Sequence, residues 1–131
     1  MKKKILIVSA NYYKVFTTEL NRGANSILLK KKYKKDLISV PGVFEIPIII
    51  SKNIKKYDAF VALGCVIKGE TPHFDFISKA TTDALMQLSV VNKNPIGNGI
   101  ITCLNKKQAI IRSKKKGQEA AKAAVSLLKF V

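Results

Sequence analysis

The sequence predicts a three-layer α/β fold in which one four-stranded, mainly parallel sheet lies between helices. Three observations carry this expectation. Apolar runs at Lys4–Ser9, Asp36–Val40, Ala59–Ile67 and Ile96–Thr102 alternate with segments of helical periodicity, with no long insertions. The third run is apolar almost without alternation, as a strand covered on both faces should be. Each pair of strands is also joined by enough chain for a right-handed helical crossover.

The elements follow in order. After the first strand, Phe16, Leu20, Ala24, Ile27 and Leu28 fall on one side of a helix that ends in a lysine run. The second strand is stopped by Pro41-Gly42. Val43, Ile46, Ile50 and Ile54 then recur at helical spacing, with Pro47 tolerated in the first turn and Glu45 at the helix N-terminus. Asn53–Asp58 turns into the third strand. Lys68–Thr71 forms the next strand-to-helix turn, and Phe74, Ile77, Thr81, Ala84, Leu85 and Leu88 line the following helix until Asn92-Lys93-Asn94-Pro95 breaks it. After the fourth strand, Asn105–Arg112 reads as a short helix and Gln118–Phe130 as a separate final one.

The chain has 131 residues, 47% of them hydrophobic, which predicts one domain over residues 1–131 with a single core. No stretch approaches the roughly 18 apolar residues of a membrane span. The opening residues are too short and strand-like for a signal peptide, so a cytoplasmic protein is expected, without a membrane partner. Cys65 and Cys103 lack metal-ligand spacing and read as buried, reduced thiols rather than a functional pair. The formal charge of +16 invites a nucleic-acid reading. Only Arg22 and Arg112 among the 24 basic residues are arginine, however, and the lysines are scattered, so solvated surface without a nucleic-acid partner is the simpler expectation. Arg112 gains interest from that scarcity, because its planar fork binds phosphate as lysine cannot.

All four loops after the strands open on one edge of such a sheet, where open α/β folds place ligands. Gly69-Glu70-Thr71 precedes a helix and could hold an anion on free backbone N–H groups, although many helix N-termini bind nothing. His73, the one histidine, is either a satisfied surface side chain or an acid/base group, with an ordinary pKa of about 6.5 suited to proton transfer. Glu45 either complements a helix dipole or accepts from ligand hydroxyls. Tyr12 is either core or a platform for a flat heterocycle. The sequence has no dinucleotide-binding glycine pattern, P-loop or nucleophile elbow, and Ser9-Ala10-Asn11 stands where a phosphoacceptor domain would carry acids.

Five motifs in order carry a resemblance: V-P-G-V-F-E-I-P from Val40, A-L-G-C-V-I-K-G-E-T-P-H-F-D-F from Ala62, N-G-I-I-T from Asn98, Q-A-I-I-R ending at Arg112, and K-G-Q-E-A-A from Lys116. Together they resemble the 6,7-dimethyl-8-ribityllumazine synthase family over nearly the whole chain. The resemblance implies a flavodoxin-like domain that condenses 5-amino-6-(D-ribitylamino)uracil with 3,4-dihydroxy-2-butanone 4-phosphate, without metal or organic cofactor. It implies His73 as the proton-transfer residue, and Gly69, Glu70, Thr71 and Arg112 as phosphate ligands. Tyr12, Val43, Phe44, Glu45, Cys65, Val66, Ile67 and Asn98 would hold the ribitylaminouracil. It further implies a homo-oligomer of pentamers or their multiples with intersubunit sites, Asn98 and Arg112 arriving from the neighbour, and a functional link to riboflavin synthase. A basic scaffold that binds nucleic acid, and a lumazine or flavin carrier without turnover, are the competing readings.

The chain departs from the family pattern in three places. The first loop is Asn11-Tyr12-Tyr13 where Arg-Phe-Asn is common, and Asn98 stands where phenylalanine is frequent. The stretch from Arg112 to Lys116-Gly117 is short, which puts the role of Lys116 and the assembly geometry in question.

Overall fold

In the computed structural model of the protein, which describes residues 3–131, four parallel strands form one sheet in the order β2-β1-β3-β4. They are β1 (Lys4–Ala10), β2 (Lys34–Val40), β3 (Ala59–Ile67) and β4 (Ile96–Cys103). The helices are α1 (Lys14–Lys31), α2 (Ile46–Lys52), α3 (His73–Asn92) and α4 (Lys106–Leu128), and a single 3-10 turn, Val43–Glu45, leads into α2. This is the flavodoxin-like three-layer arrangement.

The period-two alternation of strands divides the core. Ile5, Ile7, Val61, Leu63 and Ile101 point to one face and pack beneath α1 and α4 with Leu20, Ala24, Leu28, Ala121 and Ala124. Leu6, Val8, Phe60 and Ala62 point to the other and meet Ile46, Ile50 and Leu85 of α2 and α3. β3 is buried on both sides through Cys65, which explains its uninterrupted apolar run.

One expectation needs correction. The two C-terminal helices are one continuous helix of 23 residues, and Gly117 lies in its middle rather than at a break. Gly117 is there for close approach: a Cβ at this position would lie 2.0 Å from the Leu20 carbonyl oxygen of α1. Against the same helix, a Cβ at Gly97 of β4 would lie 2.0 Å from the carbonyl oxygen of Ala120. The small residues of α4 seat it deeply between α1 and the sheet, and that packing outweighs the roughly 1 kcal/mol that glycine costs inside a helix.

The face read for α3 turns toward the sheet, but it is thinly covered: Thr81 and Leu85 are buried, Ile77 and Leu88 pack half-exposed against the core, and Phe74 and Ala84 are half-exposed. The cause is length: α3 has 20 residues and its neighbour α2 only 7. Phe76, Met86, Val90 and Val91 consequently face outward.

Candidate active site

The strand ends are tied together before any side chain is placed. Asn11 N–H donates to the Val40 carbonyl (2.9 Å) and Lys68 N–H to the Cys103 carbonyl (2.9 Å), which fixes the ends of β1 against β2 and of β3 against β4. The buried Thr17 hydroxyl donates to the Ala10 carbonyl at 2.6 Å, anchoring the start of α1 to the end of β1. Tyr13 stands between them, with its carbonyl accepting from the N–H groups of Phe16 and Thr17.

A cleft of about 590 Å³ opens at this edge, formed by the loops after β1 and β2, the end of β3 and the start of α3. Tyr12, Val43, Phe44, Glu45, Cys65, Val66, Ile67 and His73, eight of the residues singled out in the sequence, line it. Gly64 is what lets two of these walls meet. A Cβ there would lie 2.6 Å from a Val43 methyl, so only glycine allows the Val43–Glu45 turn to press against β3.

Each wall offers different chemistry. Tyr12 is 77% exposed and stands edge-on to Tyr13, with ring centroids 4.9 Å apart, leaving a ring face open to a flat ligand. Glu45 Oε1 accepts from Gly42 N–H at 2.9 Å. That bond orients the carboxylate and leaves its second oxygen for a ligand hydroxyl. Val66 and Ile67 end β3 half-buried, presenting the last backbone groups of a central strand to whatever fills the cleft.

His73 is the first residue of α3 and is exposed. Its backbone N–H reaches Thr71 Oγ1 at 3.4 Å. Just ahead of it, the N–H groups of Gly69, Glu70 and Thr71 have no hydrogen-bond partner among the described residues. Three unpartnered N–H groups thus lie beside His73 at the positive end of a 20-residue helix.

The cysteines are closer than their sequence separation suggested. Cys65 pairs with Ile101 and Ile67 with Cys103, so the two thiols are diagonal neighbours on one face of the sheet. Burial, then the nearness of Cys103, pushes the Cys65 thiol up to about 12, with Arg112 pulling weakly the other way. It is therefore a neutral wall of the cleft at physiological pH. Both cysteines are free and buried.

The remaining sequence candidates do not line the cleft. Arg112, in the second turn of α4, is exposed and donates from Nη1 to the Thr102 carbonyl at 2.7 Å. Asn98 is the third residue of β4, paired with Ala62, and so lies roughly 16 Å along the strand from the edge. It is exposed, with its Oδ1 accepting from Ile100 N–H at 3.0 Å. Lys116 is half-buried one helical turn beyond Arg112, a neighbour on the same flank because α4 runs straight through.

The chain matches the model of the 6,7-dimethyl-8-ribityllumazine synthase family over residues 2–131. It belongs to that family. Among curated proteins it is 45% identical to the 6,7-dimethyl-8-ribityllumazine synthase of Bartonella bacilliformis, covering 95% of this chain and 87% of that one. It is 42% identical to 6,7-dimethyl-8-ribityllumazine synthase 1 of Rhodopseudomonas palustris, over 97% and 85% of the two chains. It is also 42% identical to the Agrobacterium fabrum protein of the same name, over 98% and 95%.

Three residues that line the cleft carried no site role in the sequence: Tyr13, Gly42 and Ile77. Ile77 follows His73 by four residues, so the helical period already places it on the same face. Tyr13 stands where the family often has asparagine. Burial, then the nearness of Tyr12 and Cys65, raises its phenol above the ordinary value, so it presents a neutral hydroxyl.

Proposed function

We propose that the chain is a 6,7-dimethyl-8-ribityllumazine synthase, condensing 5-amino-6-(D-ribitylamino)uracil with 3,4-dihydroxy-2-butanone 4-phosphate and releasing phosphate and water. The observation that carries the proposal is the juxtaposition of His73 with the free N–H groups of Gly69, Glu70 and Thr71 at the rim of a cleft holding Tyr12, Glu45 and the end of β3. In this reading the uracil stacks on Tyr12 and lies against Cys65, Val66 and Ile67, and the ribityl chain runs along Val43 and Phe44 to the free oxygen of Glu45. The butanone phosphate sits on the Gly69–Thr71 amides.

The 5-amino nitrogen then attacks the ketone carbon, and loss of water gives the imine. His73 supplies a proton to the departing hydroxyl and accepts one as the phosphate leaves. The ribityl-bearing nitrogen closes the second ring with loss of a second water. Much of the rate comes from holding amine and carbonyl together, so His73→Ala retains residual turnover while falling roughly 10²-fold.

We take the site to be intersubunit. Arg112 and Asn98 lie outside the cleft of their own chain, and α3 leaves Phe76, Met86, Val90 and Val91 uncovered. A pentamer, or a multiple of pentamers, would bring a neighbour's Asn98 and Arg112 to the cleft and cover the apolar face of α3. The enzyme is taken to be cytoplasmic, and its lumazine product is the chemistry that links it to riboflavin synthase.

The experiment that tests both claims mixes two impaired variants. His73→Ala and Arg112→Ala subunits are co-assembled at equal ratio, and lumazine formation is followed by absorbance and fluorescence. Intersubunit sites regain about one quarter of wild-type activity, because half of the clefts keep His73 and half of their neighbours supply Arg112. No recovery would refute the intersubunit site, and no lumazine from the unmodified protein would refute the enzyme.

A further inference from the structure

The largest groove described on the molecule is not at the candidate active site. It has a volume of about 810 Å³ and lies between the C-terminal halves of α1 and α4, at the opposite edge of the sheet. Lys3, Lys30, Lys31, Lys122 and Lys129 line it, over a floor that includes Ile27, Tyr33 and Val125. Among the described residues no carboxylate lines it. Among the described residues the ion pairs are Arg22 with Glu19 and Lys79 with Asp83, so none of the five lysines is paired.

Helix dipoles account for only part of this charge. Lys30 and Lys31 sit in the last turn of α1 and Lys129 at the C-cap of α4, where cations are favoured. Two helix C-termini together amount to roughly one negative charge, against five ammonium groups. Lys3 precedes β1, and Lys122 is well inside α4, so neither has a dipole to answer. Like charges gathered in one concave site repel, and a compact multivalent anion relieves that repulsion. Lys122 and Lys129 are seven residues apart on one helix face, roughly 10 Å along its axis, a span suited to a short chain of phosphates rather than one.

We infer that this groove binds an oligophosphate group, either the triphosphate tail of a nucleotide or a free oligophosphate, with lysines gripping phosphates above the apolar floor. The site is separate from the catalytic cleft and does not depend on its assignment.

The test titrates the assembled full-length protein with ATP, then repeats the titration with tripolyphosphate and with adenosine as competitors. ATP binds and weakens as salt is raised, tripolyphosphate displaces it, and adenosine does not. Tighter binding of ATP than of tripolyphosphate identifies a nucleotide, with its base on the floor; equal binding identifies a free oligophosphate. The double variant Lys30→Glu/Lys122→Glu, altered at exposed side chains, weakens ATP binding by at least about tenfold while lumazine formation is unchanged. Lys55→Glu/Lys56→Glu makes the same change in net charge elsewhere and leaves binding within about twofold.

Four results would overturn the inference. They are no binding of ATP or tripolyphosphate at millimolar concentration, an equal loss in the Lys55/Lys56 control, loss of binding in Arg112→Ala, and displacement of ATP by single-stranded oligonucleotides with affinity rising with length. The third would assign the phosphate to the catalytic cleft, and the fourth would make the groove a phosphodiester track.

Discussion

Replacing Gly117 by alanine separates two opposed effects whose sizes can be compared. On an isolated helix the change is favourable, by about 1 kcal/mol. Here the new methyl would sit 2.0 Å from the Leu20 carbonyl oxygen, against an ordinary contact of at least 3.4 Å. Relieving that overlap moves α4 away from α1 by about 1.4 Å and loosens the Leu20, Ala24, Ala121 and Ala124 layer between them. Overpacking of this kind costs typically 1–3 kcal/mol and occasionally more. Because both atoms belong to helix backbones that cannot move aside independently, the upper part of that range applies, and Gly117→Ala is destabilising by about 1–2 kcal/mol net. Urea unfolding at fixed protomer concentration measures it, and thermal unfolding should fall by about 4–8 °C. A variant that is more stable than the parent by about 1 kcal/mol would refute the reasoning, for it would mean that α4 tolerates a side chain there and that the glycine is an ordinary helix defect.

Other outcomes follow from the same fold. Arg112→Lys keeps the charge but loses the planar fork, so the KM for the butanone phosphate should rise about tenfold or more in steady-state assays, while the KM for the pyrimidine changes little. The Cys65 thiol, pushed up to about 12 by burial and the nearby Cys103, keeps its proton in the folded chain above pH 9 while the unfolded chain releases it. Stability should therefore decline as pH rises from about 9 toward 12, by up to about 1.4 kcal/mol per unit from this group, and Cys65→Ala should show a shallower decline in urea titrations at each pH. Lys93 caps α3 in the left-handed region at φ 54°, so Lys93→Gly should stabilise by about 1 kcal/mol in the same unfolding assay.

What the sequence made legible divides along physical lines. Strands were readable because burial on two faces leaves an apolar run in β3, and the loops after them could be placed on one edge because strands that alternate with helices run parallel. The cleft residues Tyr12, Val43–Glu45, Cys65–Ile67 and His73 came together for that topological reason. The continuity of α4 was not readable, because local propensity treats Gly117 as a breaker and only the contact with Leu20 reveals why it is there. The nearness of Cys65 and Cys103 depends on β3–β4 register, which no local pattern specifies. The second apolar side of α3, with Phe76, Met86, Val90 and Val91, went unread because periodicity picks out one buried face and does not report what the other side of a helix meets. The lysine groove was hidden for a related reason: Lys3, Lys30, Lys31, Lys122 and Lys129 come from separate segments and read as scattered surface until α1 and α4 lie side by side.

For the phosphate-gripping role proposed for Arg112, the hydrogen bond from its Nη1 to the Thr102 carbonyl bears on how strongly the substrate phosphate is held. A long side chain normally loses about 2 kcal/mol of rotamer freedom when it is fixed in place. Here much of that loss is incurred as the chain folds, since the strand end already holds the guanidinium. An incoming anion meets a prearranged donor fork with further N–H groups still open. Removing the argininyl fork therefore sacrifices preorganisation as well as charge, and a flexible cation tethered at the same place would bind with the same sign but with a larger entropic penalty.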